Sequence, residues 1–397
     1  MLINMLPRIR ITPQRLARTL VPGSRSESQG FRFGHCRNSE RFISTQSDAG
    51  TFTLLPTRGL LEIKGKDSSK FLQGLITNQM LKIENGGGGF LAAFLSPKGR
   101  VMYDVFIHPS NLTTEGADPS FLIECDARAL PELHKHIARF VLRSKVKMTG
   151  VTEAFDVYSV LDDASAQSTT PLASDNAAVM ERLGKMNASI GMLDNRAGNM
   201  LGYRAIVPKG RRLSLPESYL QGTLEDYHVR RILLGVPEGM DDFIAGMSLP
   251  LECNLDYMNG VDFRKGCYVG QELTIRTYHK GITRKRVMPV QYFRPEEPVP
   301  ETMRFIKGDS HVVPSQSELF PVKTADTLNV ATSTASARPV RASGKTGSNV
   351  GNIGLALVKL DQVSEGNIFE VMDREGATVR VKAFFPSWWP KQTADTE

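Results

Sequence analysis

The most informative stretch of the chain is residues 262–272, which read DFRKGCYVGQE. Cys267 stands at its centre, with Gly266 directly before it and Gly270 three positions after it. Because glycine has no side chain and tolerates positive φ angles, this spacing predicts a tight bend with open access to the sulfur. Such a cysteine is a candidate for chemistry, since its thiolate attacks electrophiles and binds iron in clusters.

The residues around Cys267 are charged and polar. Arg264 and Lys265 place two positive charges beside the sulfur, which favours the thiolate over the thiol. Gln271 and Glu272 are predicted to begin a short helix, whose first amide groups also favour an anion. The residues alone leave an alternative open, in which Cys267 is a small buried packing residue and the glycines only shape a turn.

Outward from this stretch, the chain alternates between strand-like and helix-like patterns. The apolar spacing predicts strands or helices at 51–63, 68–75, 90–107, 121–125, 129–142, 201–207 and 225–234, and strands from 287 onward. The turn sequence SPKG at 96–99 predicts a hairpin between the two strands within 90–107. The pattern is typical of an α+β fold.

Composition limits the class of protein. The 397 residues, 41% of them hydrophobic, are enough for two or three domains. No uninterrupted apolar run approaches the ~20 residues that cross a bilayer, which argues against a membrane-spanning protein. The net charge is +7, but residues 1–50 contain eight arginines against three acids, so most of the excess lies there. A general nucleic-acid-binding surface on the remaining chain therefore loses its support.

Residues 1–43 are rich in arginine interleaved with leucine and isoleucine, and poor in acids. Such an amphipathic start is typical of a mitochondrial transit peptide, with a disordered basic tail as the alternative. Of the four cysteines, Cys36 lies in this leader, and the others are Cys125, Cys253 and Cys267. Three scattered thiols exclude a site closed by four thiolates of one chain, so no metal site is predicted, and reduced thiols fit the mitochondrial matrix.

Residues 325–350 are rich in Ser, Thr and Ala and predict a mobile insertion in the last domain. They contain Gly344-Lys345-Thr346, which matches the end of a phosphate-binding loop. That motif also needs a glycine five positions before Gly344, where this chain has Pro339, so the phosphate-loop interpretation is rejected.

The octapeptide KGCYVGQE at 265–272 resembles the signature of the YgfZ-type folate-binding proteins. These are relatives of the glycine-cleavage aminomethyltransferase, and their mitochondrial members assist iron–sulfur cluster assembly. Around Cys267, the signature comprises Lys265, Gly266, Tyr268, Gly270, Gln271 and Glu272. Supporting similarities lie at 71–78, 94–104, 227–238 and 249–252, so the resemblance covers most of the chain after the leader.

The resemblance implies an aminomethyltransferase-like α+β fold with three subdomains around a central folate channel. The expected boundaries are 44–150 for the first subdomain, 151–286 for the second, which holds the signature, and 287–397 for a small C-terminal β-barrel carrying the insertion.

The resemblance also implies tetrahydrofolate binding in that channel. By position, Asp104 matches the carboxylate that lies near the reactive nitrogen of folate in the transferases. The alternative for Asp104 is a strand-edge residue paired with Arg100 or Lys98. Weaker candidates for the channel, each with packing or surface exposure as its alternative, are Tyr203, Tyr227 and Glu252.

The chain departs from the transferases at residues 201–204. It reads LGYR where they usually carry an acidic Gly-Glu-Asp-Gly-like turn. Replacing acids by Tyr203 and Arg204 inverts the local charge, which disfavours a cationic aminomethyl-carrying substrate.

Together these points predict a mitochondrial matrix folate-binding factor needed for maturation of [4Fe–4S] proteins such as aconitase-type enzymes and lipoate synthase. It would act through Cys267 with an A-type iron–sulfur carrier as partner, sharing a cluster transiently, and more as an assembly factor than as an enzyme. The alternative is a tetrahydrofolate-dependent aminomethyl transferase. A third interpretation, an RNA-binding module, rests on Arg276, Lys280, Arg284, Lys285 and Arg286 with Tyr278; partners among nucleic acids or membranes are not expected.

Overall fold

Two five-stranded sheets and a closed barrel make up the computed structural model, which describes residues 50–110, 118–162, 176–309, 311–322 and 341–390. The expected transit peptide at 1–43, with Cys36, lies outside these described residues. In the described part, no helix is long and apolar enough to cross a membrane.

The first subdomain follows the initial strand β1 (Thr51–Leu54). Its antiparallel sheet has the order β3-β4-β5-β2-β6. Its strands are β2 (Arg58–Lys64), β3 (Phe90–Leu95), β4 (Val101–Pro109), β5 (Ser120–Asp126) and β6 (Lys147–Gly150), and its helices are α1 (Ser68–Gln73), α2 (Leu81–Glu84) and α3 (Leu130–Ala138). The predicted hairpin is confirmed as β3 and β4, with Gly99 at φ 74° in the turn. Every residue of β3 is buried, which fits its uninterrupted apolar run.

The second subdomain is built around a sheet of order β11-β1-β7-β10-β8. Its elements are β7 (Phe155–Leu161), α4 (Asn176–Lys185), β8 (Ile190–Leu193), β9 (Arg196–Asn199), β10 (Tyr203–Pro208), β11 (Leu220–Gln221) and α5 (Leu224–Leu233). The helix α5 begins with a capping box, in which Thr223 and Asp226 satisfy each other's main-chain amides.

Strand β1 belongs to this second sheet, not to the first subdomain as the sequence boundary of 44–150 implied. It pairs antiparallel to β7 and parallel to β11, although only a short turn separates it from β2. Phe52 packs beside Tyr158, and the amide of Leu55 donates to the carbonyl of Val157 at 2.8 Å. These contacts with distant residues place β1 in the second sheet.

After α6 (Gln271–Lys280), six strands close the expected C-terminal barrel in the order β12-β15-β14-β13-β16-β17. They are β12 (Lys285–Phe293), β13 (Glu318–Pro321), β14 (Gly344–Val350), β15 (Ile353–Lys359), β16 (Phe369–Met372) and β17 (Thr378–Ala383), with the short helix α7 (Leu360–Ser364) after β15. The barrel therefore begins two residues before the expected boundary at 287.

The expected insertion at 325–350 needs correction at its C-terminal end. Residues 344–350 form β14, which pairs with both β13 and β15. A Cβ atom on Gly344 would lie 2.2 Å from the carbonyl oxygen of Leu357, so this close strand approach requires glycine. Thr346 is buried and its hydroxyl donates to the carbonyl of Pro314 at 2.7 Å. Residues 323–340 lie outside the described part.

Candidate functional site

The loop that carries the signature is held against the first subdomain at both ends. The amide of Asp262 donates to the carbonyl of Thr77 at 3.0 Å, and the amide of Val269 donates to the carbonyl of Gly74 at 3.1 Å. Between these two points, the Cys267 side chain is exposed. The structure therefore supports the accessible cysteine, and the alternative of a buried packing residue is wrong.

Lys265 turns its ammonium group into the first subdomain. Its Nζ donates to the main-chain carbonyls of Gln73 at 2.7 Å, Ile76 at 2.6 Å and Asn78 at 2.8 Å. Burial lowers the pKa of this amine to about 7. The structure thus gives Lys265 a positioning role in place of the thiolate-supporting charge expected from the sequence, because its hydrogen atoms are committed to three carbonyls.

The two glycines around Cys267 are not equivalent. Gly270 has φ 78°, and a Cβ atom there would lie 2.3 Å from the carbonyl oxygen of Ser96. Gly266 has no positive φ, and a Cβ atom there would meet nothing within 4 Å. Only Gly270 is required by the backbone, and it lets α6 begin in contact with the turn of the β3–β4 hairpin.

The predicted helix start is confirmed, because α6 begins at Gln271. The side-chain oxygen of Gln271 accepts from the amide of Tyr268 at 3.2 Å and so fixes the end of the loop. Glu272 lies exposed in the first turn, where a carboxylate complements the helix dipole. The Tyr268 ring is buried, with the Lys265 ammonium 4.7 Å from its centre.

The other two cysteines of the described part are buried. Burial raises the pKa of Cys125 and of Cys253 to about 12, so both remain thiols at neutral pH. In the described ranges no group of three or more His, Cys, Asp and Glu side chains is arranged to hold a metal ion. Cys267 is thus the accessible thiol within those ranges.

A second cluster of polar residues lies buried between the first two subdomains. We call it the central ion network; it comprises Arg58, Glu124, Asp194, Arg196, Arg204, Tyr227 and Glu238, all nearly inaccessible to solvent. Arg204 bridges the subdomains by pairing with Glu124 of β5 and with Glu238. Although burial opposes it, the arginines Arg204, Arg58 and Arg196 hold the pKa of Glu238 well below its usual range.

The network is built around an aromatic ring. The guanidinium carbons of Arg204, Arg196 and Arg58 lie 4.1, 4.9 and 5.9 Å from the centre of the Phe106 ring. Buried arginines tolerate one another here because carboxylates and this ring offset their charges. The inverted charge at Arg204 therefore produces no free positive surface, which corrects the expectation that it would repel a cationic substrate directly.

Asp104 lies at the edge of this network, on β4. It is buried, and its carboxylate accepts from the amide of Gly239 at 3.2 and 3.1 Å through its two oxygens. Burial raises its pKa, and the nearby Arg58 only partly offsets that effect. The alternative of a strand-edge residue paired with Arg100 or Lys98 is therefore wrong.

The three weaker channel candidates do not converge. The Tyr227 hydroxyl donates to Glu238 at 2.6 Å, within the central ion network. Tyr203 packs into the core on the other side of its sheet, because neighbouring residues of a strand point to opposite faces and Arg204 takes the inner one. Glu252 lies elsewhere, on the wall of a cavity, where burial raises its pKa.

This cavity has a volume of about 300 Å³ and lies beside α6. Its walls come from 249–252, from the helix residues Leu273, Thr274 and Thr277, and from 282–285. Thr274 also lies beside the side chain of Tyr268, which follows Cys267 in the chain.

The basic residues expected of an RNA-binding surface are not all on the surface. Arg286 is buried, pairs with Asp256 at 2.8 Å, and lies 3.7 Å from the centre of the Tyr257 ring. Arg276, Lys280 and Arg284 are exposed. The patch is thus smaller than the sequence suggested.

Most residues of the central ion network carry no local sequence signal. Arg58, Glu124 and Glu238 lie far from one another and from the neighbouring pair Asp194 and Arg196 in the chain, and their convergence depends on two sheets facing each other. One signal was available: Glu124 interrupts the otherwise apolar strand FLIEC, and an acid in such a strand must find a partner.

The chain is similar to one protein-family model and to several named proteins. The family model described as the CAF17 C-terminal beta-barrel domain matches residues 284–391. A protein named mitochondrial iron-sulfur cluster assembly factor IBA57 homolog, from Mycosarcoma maydis, is 34% identical over 362 residues, covering 85% of this chain and 84% of that one. A protein of the same name from Neurospora crassa is 36% identical over 391 residues, covering 87% and 83%.

Among solved structures, the glycine cleavage system aminomethyltransferase T from Bartonella henselae is similar with a TM-score of 0.56. The match covers 86% of each chain at 12% identity. At this identity the likeness shows the fold alone, and it confirms the aminomethyltransferase-like architecture.

Proposed function

The chain belongs to the IBA57 family of mitochondrial iron–sulfur cluster assembly factors, and on that basis we propose that it acts in the matrix through Cys267, together with a cluster carrier. The observation that carries this proposal is the exposed thiol on a loop that is fixed on both sides of the cysteine. Lys265, Tyr268 and Gly270 hold the loop in place, and Cys267 remains free to reach another molecule.

A second protein must supply the remaining ligands of any cluster. Iron–sulfur clusters are held by several thiolates, and the described residues offer one accessible thiol. An A-type carrier provides cysteines of its own, so the cluster would be shared transiently between the two proteins. The clients would be [4Fe–4S] proteins such as aconitase-type enzymes and lipoate synthase.

The test is anaerobic mixing of the protein with a cluster-loaded A-type carrier, wild type against Cys267→Ser. Wild type should alter the visible absorption of the cluster and co-elute with it, whereas Cys267→Ser should do neither. Because the side chain is exposed, this variant should keep its stability within about 0.5 kcal/mol. In cells that lack the protein, the same variant should fail to restore aconitase activity and lipoylation.

Cys253→Ala is the matched control. It removes a thiol that is buried in the core, so a folded Cys253→Ala protein should still share the cluster. A shared cluster with Cys267→Ser would refute the role of this thiol.

We further propose that tetrahydrofolate binds at Asp104, beside the central ion network. Two buried groups there have hydrogen-bonding capacity to spare. Asp104 accepts from one amide, and Arg58 Nη2 has no acceptor within the described residues. An acceptor and a donor that lie near enough to interact electrostatically fit a pterin ring, which carries both kinds of group. When bound, tetrahydrofolate supplies nitrogens that carry one-carbon units.

Calorimetry with reduced folate tests this second proposal. Asp104→Ala should weaken binding by about tenfold or more, because a charge-assisted hydrogen bond is lost. Tyr203→Phe is the control, since Tyr203 faces the opposite side of its sheet and should leave the affinity unchanged. No heat from the wild type at high folate concentration would refute folate binding.

The buried carboxylate of Asp104 also favours the alternative function, a tetrahydrofolate-dependent aminomethyl transferase. Against it, both Glu124 and Glu238 are engaged by Arg204 and are not free to receive a cationic substrate. A reconstituted glycine-cleavage assay distinguishes the two functions, and turnover there would favour the transferase.

A further inference from the structure

We propose that the surface of α6, next to Cys267, is a docking site for an acidic protein that inserts an aliphatic side chain into the neighbouring cavity. This proposal rests on the function above, because the partner is the protein that brings its own cysteines to Cys267. We define the α6 surface by six of the exposed side chains on and next to the helix, which also exposes Glu272 and His279: Arg264, Arg276, Tyr278, Lys280, Ile282 and Arg284.

The α6 surface carries mostly positive charge. Its four cations form no ion pair within the described residues, and Glu272 is the exposed acid on the same segment. Lys98 adds a further exposed cation, because Gly99 packs against Leu273 and brings the hairpin turn to the helix. Free cations grouped in this way attract an acidic surface and raise its association rate.

The cavity gives this basic surface an apolar centre. Leu249, Leu251 and Leu273 line its apolar part, Glu252 and Lys285 add charged groups to its wall, and Ile282 lines it with 82% of its surface exposed. An exposed isoleucine beside a partly apolar cavity, with charged side chains near it in the chain, fits a protein interface with an apolar core and a polar rim.

An acidic protein fits this arrangement better than a polyanion. A nucleic acid or a polyglutamate tail would use the cations, but neither carries an aliphatic side chain to fill the part of the cavity lined by leucines. Tyr278 also has one ring face covered, since it stacks on Phe263 with centroids 3.6 Å apart and an interplanar angle of 14°. That face is not available for a base.

The docking site is continuous with the thiol. The helix α6 starts four residues after Cys267, and Thr274 on the cavity wall lies beside Tyr268. A partner seated on α6 would therefore hold its cysteines next to Cys267 before any cluster is transferred.

The experiment measures binding of the apo A-type carrier, fully reduced and without iron, at ionic strengths of about 0.02 and 0.15 M. Wild type should bind more weakly at the higher ionic strength. The double variant Arg276→Glu with Lys280→Glu should bind about tenfold more weakly at low salt, mainly through a slower association. The control pair Lys64→Glu with Lys147→Glu reverses two exposed lysines that face each other in the first sheet, and should bind like wild type.

The cavity is tested separately with Thr277→Phe, which fills it, against the isosteric Thr277→Val. The phenylalanine variant should dissociate about tenfold faster, while the valine variant should not change. Equal binding by wild type, the charge-reversed variant and Thr277→Phe would overturn the proposal. So would tighter binding of a single-stranded RNA than of the carrier, with the two competing.

The experiments distinguish a wrong docking site from a wrong role for Cys267. If Cys267→Ser abolishes the shared cluster while charge reversal leaves apo binding unchanged, the docking site is wrong and the thiol stands. If charge reversal weakens apo binding but Cys267→Ser still shares the cluster, the docking site stands and the thiol is wrong.

Discussion

The ammonium of Lys265 donates to three carbonyls, one at the last residue of α1 and two in the chain that follows it. A turn with three inward carbonyls is costly unless donors satisfy them, and one lysine supplies three. The same burial disfavours the charge and lowers the pKa of Lys265 to about 7. The position of the Cys267 loop therefore depends on a buried lysine whose pKa is lowered by burial.

This lysine should make stability depend on pH in the alkaline range. The unfolded chain holds the Lys265 proton up to the ordinary lysine pKa, whereas the folded protein releases it from about pH 7. Between these values unfolding takes up a proton, so the free energy of unfolding should rise with pH. The measurement is urea unfolding from pH 6 to 10, wild type against Lys265→Met.

Lys265→Met removes the titrating group and serves as the reference. The difference between the two proteins should grow toward pH 10 in favour of wild type. Parallel curves over the whole range would show that the Lys265 proton is not released on folding.

The helix α6 links the signature loop to the β3–β4 hairpin. Gly270 contacts the carbonyl of Ser96 and the turn residue Gly99, and Leu273 packs over that turn. The same hairpin carries Asp104 on its second strand, so one element supports both the thiol loop and the edge of the central ion network.

Gly270→Ala should destabilise the protein by about 1–3 kcal/mol, because the backbone has a positive φ and the new Cβ would meet the Ser96 carbonyl at 2.3 Å. Gly266→Ala is the matched control and should change stability by less than about 0.5 kcal/mol, since nothing surrounds that position. Thermal unfolding of both variants checks this. Equal effects would mean that the start of α6 is not held as the structure shows.

At the scale of the whole molecule, buried charges connect the three subdomains. Arg204 of the second sheet pairs with Glu124 of the first, and Arg231 of α5 pairs with Asp242, whose other oxygen accepts from the amide of Ser348 in the barrel. Buried ion pairs contribute little net stability compared with apolar packing, but breaking one leaves an unpaired charge. They therefore fix how the subdomains face one another.

The sequence by itself determined the local features and the family. The bend around Cys267, the start of α6, the hairpin and the C-terminal barrel strands follow from residues that are near neighbours in the chain, and the signature identified the relatives. The expected subdomain and insertion boundaries were less accurate. β1 belongs to the second sheet and residues 344–350 belong to the barrel, because strand pairing depends on partners elsewhere in the chain.

Only the tertiary structure decided which charges meet and which side chains face the site. Lys265 bonds to a carbonyl 192 positions away and Arg204 to a carboxylate 80 positions away, so neither partner is visible from local spacing. Tyr203 and Arg204 are adjacent in sequence but point to opposite faces of one strand, which separates a packing residue from a member of the ion network. Local propensity fixes the bends and helices, whereas the neutralisation of buried charge is set by contacts that exist only once the sheets have packed.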